Sequence, residues 1–116
     1  MTPIKTQFVT IDLDRPSRLQ ITAVWYNLRY SRPMSLEGRI SSSGEGVHIR
    51  ATYHKPLTDR QSLNIRRALG DDHQRIHYDE TRPEAKPSQI LFDRKNGKTA
   101  GQWTADLEHL QRMYRP

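Results

Sequence analysis

Cysteine is absent from the 116 residues. Its absence excludes disulfides and thiolate-bound zinc, and fits a reducing, cytoplasmic compartment. Long apolar runs are missing as well. No stretch approaches the 18 residues a membrane span requires, and the N-terminus lacks the apolar core of a secretion signal, so neither a membrane nor an export route is expected. Glycine is sparse, at 6 residues, and no low-complexity tract or linker divides the chain. Residues 1–116 are expected to form one domain, whose core should bury roughly two-thirds of the surface the unfolded chain exposes. Acidic residues are outnumbered, 13 against 19 Lys and Arg, which leaves a net charge of +6. Nucleic acid and nucleotide phosphates are the natural partners of such a chain, the plainer alternative being a basic solvated surface.

What is present is pattern. Three stretches, Ser17–Gln20, Thr58–Gln61 and Thr99–Gln102, read S/T-x-x-Q, the capping box in which a hydroxyl and a glutamine satisfy a helix's first amides reciprocally. Each precedes apolar residues at helical spacing: Ile21, Val24, Trp25 and Leu28; Ser62, Ile65, Ala68 and Leu69, stopped by Gly70; and Trp103, Leu107, Leu110 and Tyr114. Alternating residues between them predict strands over 7–14, 35–41, 47–54 and 74–79, with a fifth short strand at 89–93. The serine- and glycine-rich 41–46 joins two strands, and "RKNGK" makes a turn. The expected order is β-α-β-β-α-β with a C-terminal β-α extension over 88–115. Its first six elements match the ferredoxin/RRM-like α+β arrangement, an antiparallel sheet in the order 4-1-3-2 with helices on one face.

Strand parity then gathers the polar residues. With Val9, Ile11 and Leu13 turned to the helices, Phe8, Thr10, Asp12 and Asp14 share the open face. Asp12 and Asp14 lie about 7 Å apart there, where two charges repel by about 2 kcal/mol unless a cation intervenes. The same reasoning puts His48 and Arg50, and then His77 and Asp79, on that face. Three carboxylates without a thiol suit hard cations such as Mg²⁺ or Mn²⁺. Paired divalent ions held by aspartates serve in-line phosphoryl transfer. A His and an Arg beside a Ser/Gly turn containing Ser43 suit a triphosphate.

At these residues the sequence resembles the archaeo-eukaryotic primase and primase-polymerase superfamily. "VTIDLD" is similar to its first motif, a strand ending in D-x-D. "SSSGEGVHI" is similar to the second, small-x-His (Gly46-Val47-His48), and "RIHYDE" to the third, a hydrophobic residue before an acid (Tyr78-Asp79). The resemblance spans roughly residues 8–80. It implies that Asp12, Asp14 and Asp79 bind two catalytic Mg²⁺ or Mn²⁺ ions and that His48 meets the phosphates of an incoming nucleoside triphosphate. A nucleotidyltransferase acting on a single-stranded DNA or RNA template follows, with a protein partner such as a helicase; Arg39 and, flanking the glycine turn, Arg94, Lys95 and Lys98 are candidate backbone contacts, the last three otherwise a solvated hairpin tip. Most members are longer, and many carry a cysteine-bound zinc element that this chain lacks.

Plainer readings stand beside these. Asp12 and Asp14 could be a solvated strand end, His48 an exposed strand histidine, and Asp79 the ion-pair partner of Arg75 or Arg82. Asp71-Asp72 reads as a solvated turn, and Phe8 as edge packing rather than a base-stacking platform. His-x-His is absent, which weakens a rolling-circle or relaxase reading. The competing functions are a non-catalytic single-stranded nucleic-acid-binding module of the same fold, and a viral or plasmid accessory protein that binds a protein partner.

Overall fold

A computed structural model describes residues 5–81 and 89–115, with backbone alone at residues 5 and 6. The chain is α+β. It runs β1 (Lys5–Asp14), α1 (Arg18–Tyr30), β2 (Ser35–Ile40), β3 (Gly46–Thr58), α2 (Asp59–Ala68), α3 (His73–Thr81), β4 (Arg94–Lys95), β5 (Lys98–Thr99) and α4 (Leu107–Met113). Strands β1, β3 and β2 form an antiparallel sheet in that spatial order, and β4 pairs with β5 in a small hairpin.

The first two capping signals do what their chemistry requires. Ser17 accepts from the Gln20 amide, and Thr58 with Gln61 closes a full capping box. The stripe on α1 buries Ile21, Val24, Trp25 and Leu28 against Val9, Ile11 and Leu13 of β1 and Val47, Ile49 and Ala51 of β3. Leu110 and Tyr114 complete this core from the C-terminal end of the chain. Asn96 and Gly97, both at positive φ, make the β4–β5 turn, the conformation a two-residue hairpin favours.

Three expected elements differ. Residues 74–79 form helix α3 rather than a strand. Their alternation also fits helical spacing, with Ile76 and Asp79 facing inward at i and i+3, and the Asp72 carboxylate accepts from the amides of Gln74 and Arg75 to start the turn. The third S/T-x-x-Q opens no helix, because Thr104 exchanges both backbone hydrogen bonds with Gly38 on the β2 edge; α4 begins three residues later, with Asp106 as N-cap. Residues 89–93 form no strand.

The place of the expected outer strand is taken by side chains. The outward groups of β1 are bonded in turn: Phe8 C=O accepts from Gln89 Nε2 at 2.9 Å, Thr10 N–H donates to Gln89 Oε1 at 2.8 Å, and Asp12 N–H donates to Asp71 Oδ1 at 2.7 Å. Arg75 adds a bond to the Thr10 hydroxyl at 2.7 Å. The Gln89 amide thus mimics one residue of a neighbouring strand, and an edge that would otherwise be an open template is closed.

Gly46 has a steric reason to be small. A Cβ there would lie 2.7 Å from the Leu13 carbonyl oxygen, a backbone atom that cannot rotate away. Gly46→Ala should therefore lower stability by about 1–3 kcal/mol, measured as a reduced urea midpoint; an unchanged midpoint would show that the β1–β3 contact is looser than described.

Candidate functional site

Three rows of side chains cross the open face of the sheet. Asp12 stands opposite His48, and His48 opposite Arg39; Thr10, Arg50 and Glu37 form the second row; Phe8, Thr52 and Ser35 the third. The C-terminal part of the chain lies over this face. Arg39 donates to the Asp93 carboxylate at 2.6 Å, and the guanidinium carbons of Arg39 and Arg50 sit 4.5 and 4.1 Å from the centre of the Trp103 ring. Two cavities with no lining residue in common result. One, of about 430 Å³, is bordered by Thr10, Glu37, Arg50, Leu91 and Trp103. The other, of about 450 Å³, is bordered by Asp12, Asp14, the Ser41–Ser43 turn, Gly46, His48, Asp72, Arg75 and Lys95.

The second cavity has the chemistry of a phosphate site with room for a cation. Its turn is held by its own hydroxyls: Ser41 Oγ accepts from the Gly46 amide, and Ser43 Oγ from the Glu45 amide. Arg39 Nε–H donates to His48 Nδ1 at 3.0 Å, so a neutral imidazole carries its proton on Nε2, on the side of Asp12. Burial, then Arg39 and Arg75, push His48 down to about 4. Asp12 moves the other way, up to about 6. Burial is the main cause, opposed by Arg75 and reinforced by Asp71, Asp72 and Asp14. The two groups lie 3.7 Å apart but are never oppositely charged in bulk: between pH 4 and 6 both are neutral, and above that only Asp12 is charged. The Asp14 carboxylate accepts no hydrogen bond and joins no ion pair among the described residues. Asp12, half-buried, and Asp14, exposed, thus offer two hard oxygen donors side by side at the cavity. Among the described residues, no group of three or more His, Asp or Glu stands ready to hold a metal ion by itself.

The predicted site residues divide. Asp12, Asp14, Ser43, His48 and Lys95 line this one cavity. Asp79 does not join them. It lies on α3, buried, where its Oδ2 accepts from Arg66 at 2.7 Å and from the Gln89 amide at 2.9 Å; a helix carries it away from the face on which a strand would have placed it. Its partner is thus Arg66 rather than Arg75, and Arg82 lies outside the described residues. Arg50 borders the other cavity, bonded to Glu37 at 2.7 Å, so it does not reach this pocket. Arg39, expected to touch nucleic acid, is 5% exposed and spends its donors on His48, Asp93 and the Phe92 carbonyl. Arg94 and Lys98 are exposed on the hairpin.

Several residues that build the site were missed. Asp71 is no solvated turn; it is buried, accepting from Arg66 Nε at 2.6 Å and Arg75 at 2.5 Å. The Asp71/Arg75 spacing of four was the available signal. Asp72 borders the cavity, as does Ser42, whose hydroxyl has no partner among the described residues. No family model matches the chain, and no curated protein and no solved structure matches it. No described helix is long and apolar enough to cross a membrane.

The opposed shifts predict a signature in stability. Asp12 is raised from 3.8 to about 6, so from pH 4 to 6 the folded state holds the extra proton and stability falls as pH rises. His48 is lowered from 6.5 to about 4, so from pH 4 to 6.5 the unfolded state holds the extra proton and stability rises with pH. The wild type cancels the two. Asp12→Asn should leave a rising slope and His48→Gln a falling one, each on the order of 2 kcal/mol across the window. Urea titrations at pH 4, 5, 6 and 7 measure this, and parallel profiles for all three proteins would contradict it.

Proposed function

We propose that the Asp12–His48 cavity binds the phosphates of a nucleoside triphosphate together with Mg²⁺ or Mn²⁺, and that the chain is a small primase-polymerase-like nucleotidyltransferase on a ferredoxin/RRM-like frame. One observation carries this reading. The D-x-D strand end and the Ser/Gly turn running into the small-x-His strand, separated in sequence by α1 and β2, border a single cavity on the open face, with Asp12 directly opposite His48.

The residues fit a cation that arrives with its nucleotide. Mg²⁺ is typically held by one or two carboxylates plus substrate phosphates rather than by an all-protein cage, and Asp12 with Asp14 supplies that share. Asp72 is the third acid of this cavity, where Asp79 was expected. A bound divalent ion would neutralise charge building on the transferring phosphoryl group. The chain's own groups do the rest. The His48 Nε2–H donates to a phosphate oxygen, and because Arg39 fixes the tautomer, it stays a donor without carrying a charge. The Ser42 hydroxyl and the amides of Ser42 and Ser43, which no bond within the turn uses, offer further donors, and Lys95 contributes a cation from the hairpin tip. Arg94 and Lys98 flank that tip and suit a template backbone. The sheet face itself is a poor platform for stacked bases, because residues 89–104 cover it.

Thermal melting with Mn²⁺ and a nucleoside triphosphate tests this at pH 7.5. The wild type should gain several degrees and Asp12→Asn should gain none. Equal gains would remove the metal-nucleotide reading. Metal-independent binding of single-stranded nucleic acid that falls steeply with salt would favour the binding module instead.

A further inference from the structure

A third concavity opens from the phosphate cavity. It holds about 470 Å³ and is bordered by Gln74, Arg75, Tyr78, Asp79, Ile90 and Phe92; Gln74, Arg75, Ile90 and Phe92 border the phosphate cavity too. Two periodicities build it. Gln74 and Tyr78 are one turn apart on α3 and form one wall. Ile90 and Phe92, two residues apart on the returning chain, form the other. The walls are tied together: Arg75 Nε donates to the Ile90 carbonyl at 3.2 Å, and the Gln89 amide donates to Asp79. The apolar surfaces remain open to solvent, Tyr78 at 42%, Ile90 at 42% and Phe92 at 61%. Three such side chains beside a charged pocket are a feature with a cause to be sought.

We propose that this groove seats the base of the nucleotide whose phosphates occupy the Asp12–His48 cavity. This inference rests on that phosphate reading and adds the part of the ligand that the acids and His48 do not explain. A nucleotide is polyanionic at one end and flat and apolar-faced at the other, and the two joined concavities reproduce that division. Phe92 and Tyr78 offer rings to a base face, while Ile90 offers an aliphatic surface between the two sites. The polar groups in the groove are mostly committed. Arg75 is bonded to Asp71, the Thr10 hydroxyl and the Ile90 carbonyl, and Asp79 to Arg66 and Gln89. Gln74 is left as the side chain able to meet a base edge. The groove therefore holds bases by stacking, which every base permits, and discriminates little among them.

Calorimetric titration in Mn²⁺ with inorganic tripolyphosphate and with each of the four ribonucleoside triphosphates separates the two claims. The wild type should bind every nucleotide on the order of tenfold or more tighter than tripolyphosphate, as one stacked base would give. The four nucleotides should agree within a few-fold. Phe92→Ala, a substitution at an exposed ring, should bring the nucleotide affinities down towards that of tripolyphosphate measured on the same variant. If nucleotides and tripolyphosphate bind the wild type equally, or if Phe92→Ala leaves nucleotide affinity intact, the base seat is overturned while the phosphate site stands. If none of them binds, both readings fall.

Discussion

The buried carboxylate of Asp71 is the interaction on which the site depends. Its Oδ2 accepts from Arg66 of α2, and its Oδ1 accepts from Arg75 of α3, from the Asp72 amide and from the Asp12 amide of β1. Four donors, one each from α2, α3 and β1 and one from the turn between the two helices, meet on one side chain with no solvent exposure. Such a charge is tolerable in the interior only with its full set of partners, and removing one partner of a buried pair typically costs about 3–5 kcal/mol. Arg66 extends the network to Asp79, and Asp79 in turn holds the Gln89 amide. The acids and arginines of residues 66–79 therefore act together to dock two helices and a returning chain on the outer edge of β1.

This docking is what makes a pocket out of a sheet face. Asp12 is held by its backbone amide at the edge, which leaves its carboxylate toward the cavity. The segment after Gln89 is directed over the open face, where Asp93 and Trp103 engage Arg39. Arg39 then fixes the His48 tautomer from the opposite side of the same row. Burial sets the protonation of Asp12 and His48 in opposite directions, opposed by Arg75 at Asp12 and reinforced by Arg39 and Arg75 at His48. The half-buried Asp12 carboxylate, with the exposed Asp14 beside it, disfavours the empty fold when it ionises. Placing that cost at a cavity, beside a neutral donor and a free lysine, is the arrangement expected where a ligand relieves it.

The sequence revealed the half of this that follows from period and parity. β1, β2, β3 and α1 were legible because their apolar residues are regularly spaced and their caps are explicit, and parity alone placed Asp12, Asp14 and His48 on one face. The region after Gly70 was not. A six-residue alternation around Ile76 and Tyr78 fits strand and helix alike, and the choice turned on the Asp72 cap and on burial of Asp79. The roles of Arg66, Asp71 and Gln89 had no local signal, since a glutamine side chain standing in for a strand residue is defined only by its tertiary partners. Arg50 was placed on the correct face and Arg39 among the nucleic-acid contacts, but the commitment of Arg39 to Asp93 and of both to Trp103 depends on a segment distant in sequence.

Amide hydrogen exchange at Thr10 and Asp12 tests most directly whether side chains close the β1 edge. If Gln89 and Asp71 hold these two amides, both should exchange with protection close to that of the Val9 and Ile11 amides within β1. Exchange at both amides at the rate of a solvated strand edge, with Val9 and Ile11 still protected, would contradict the account.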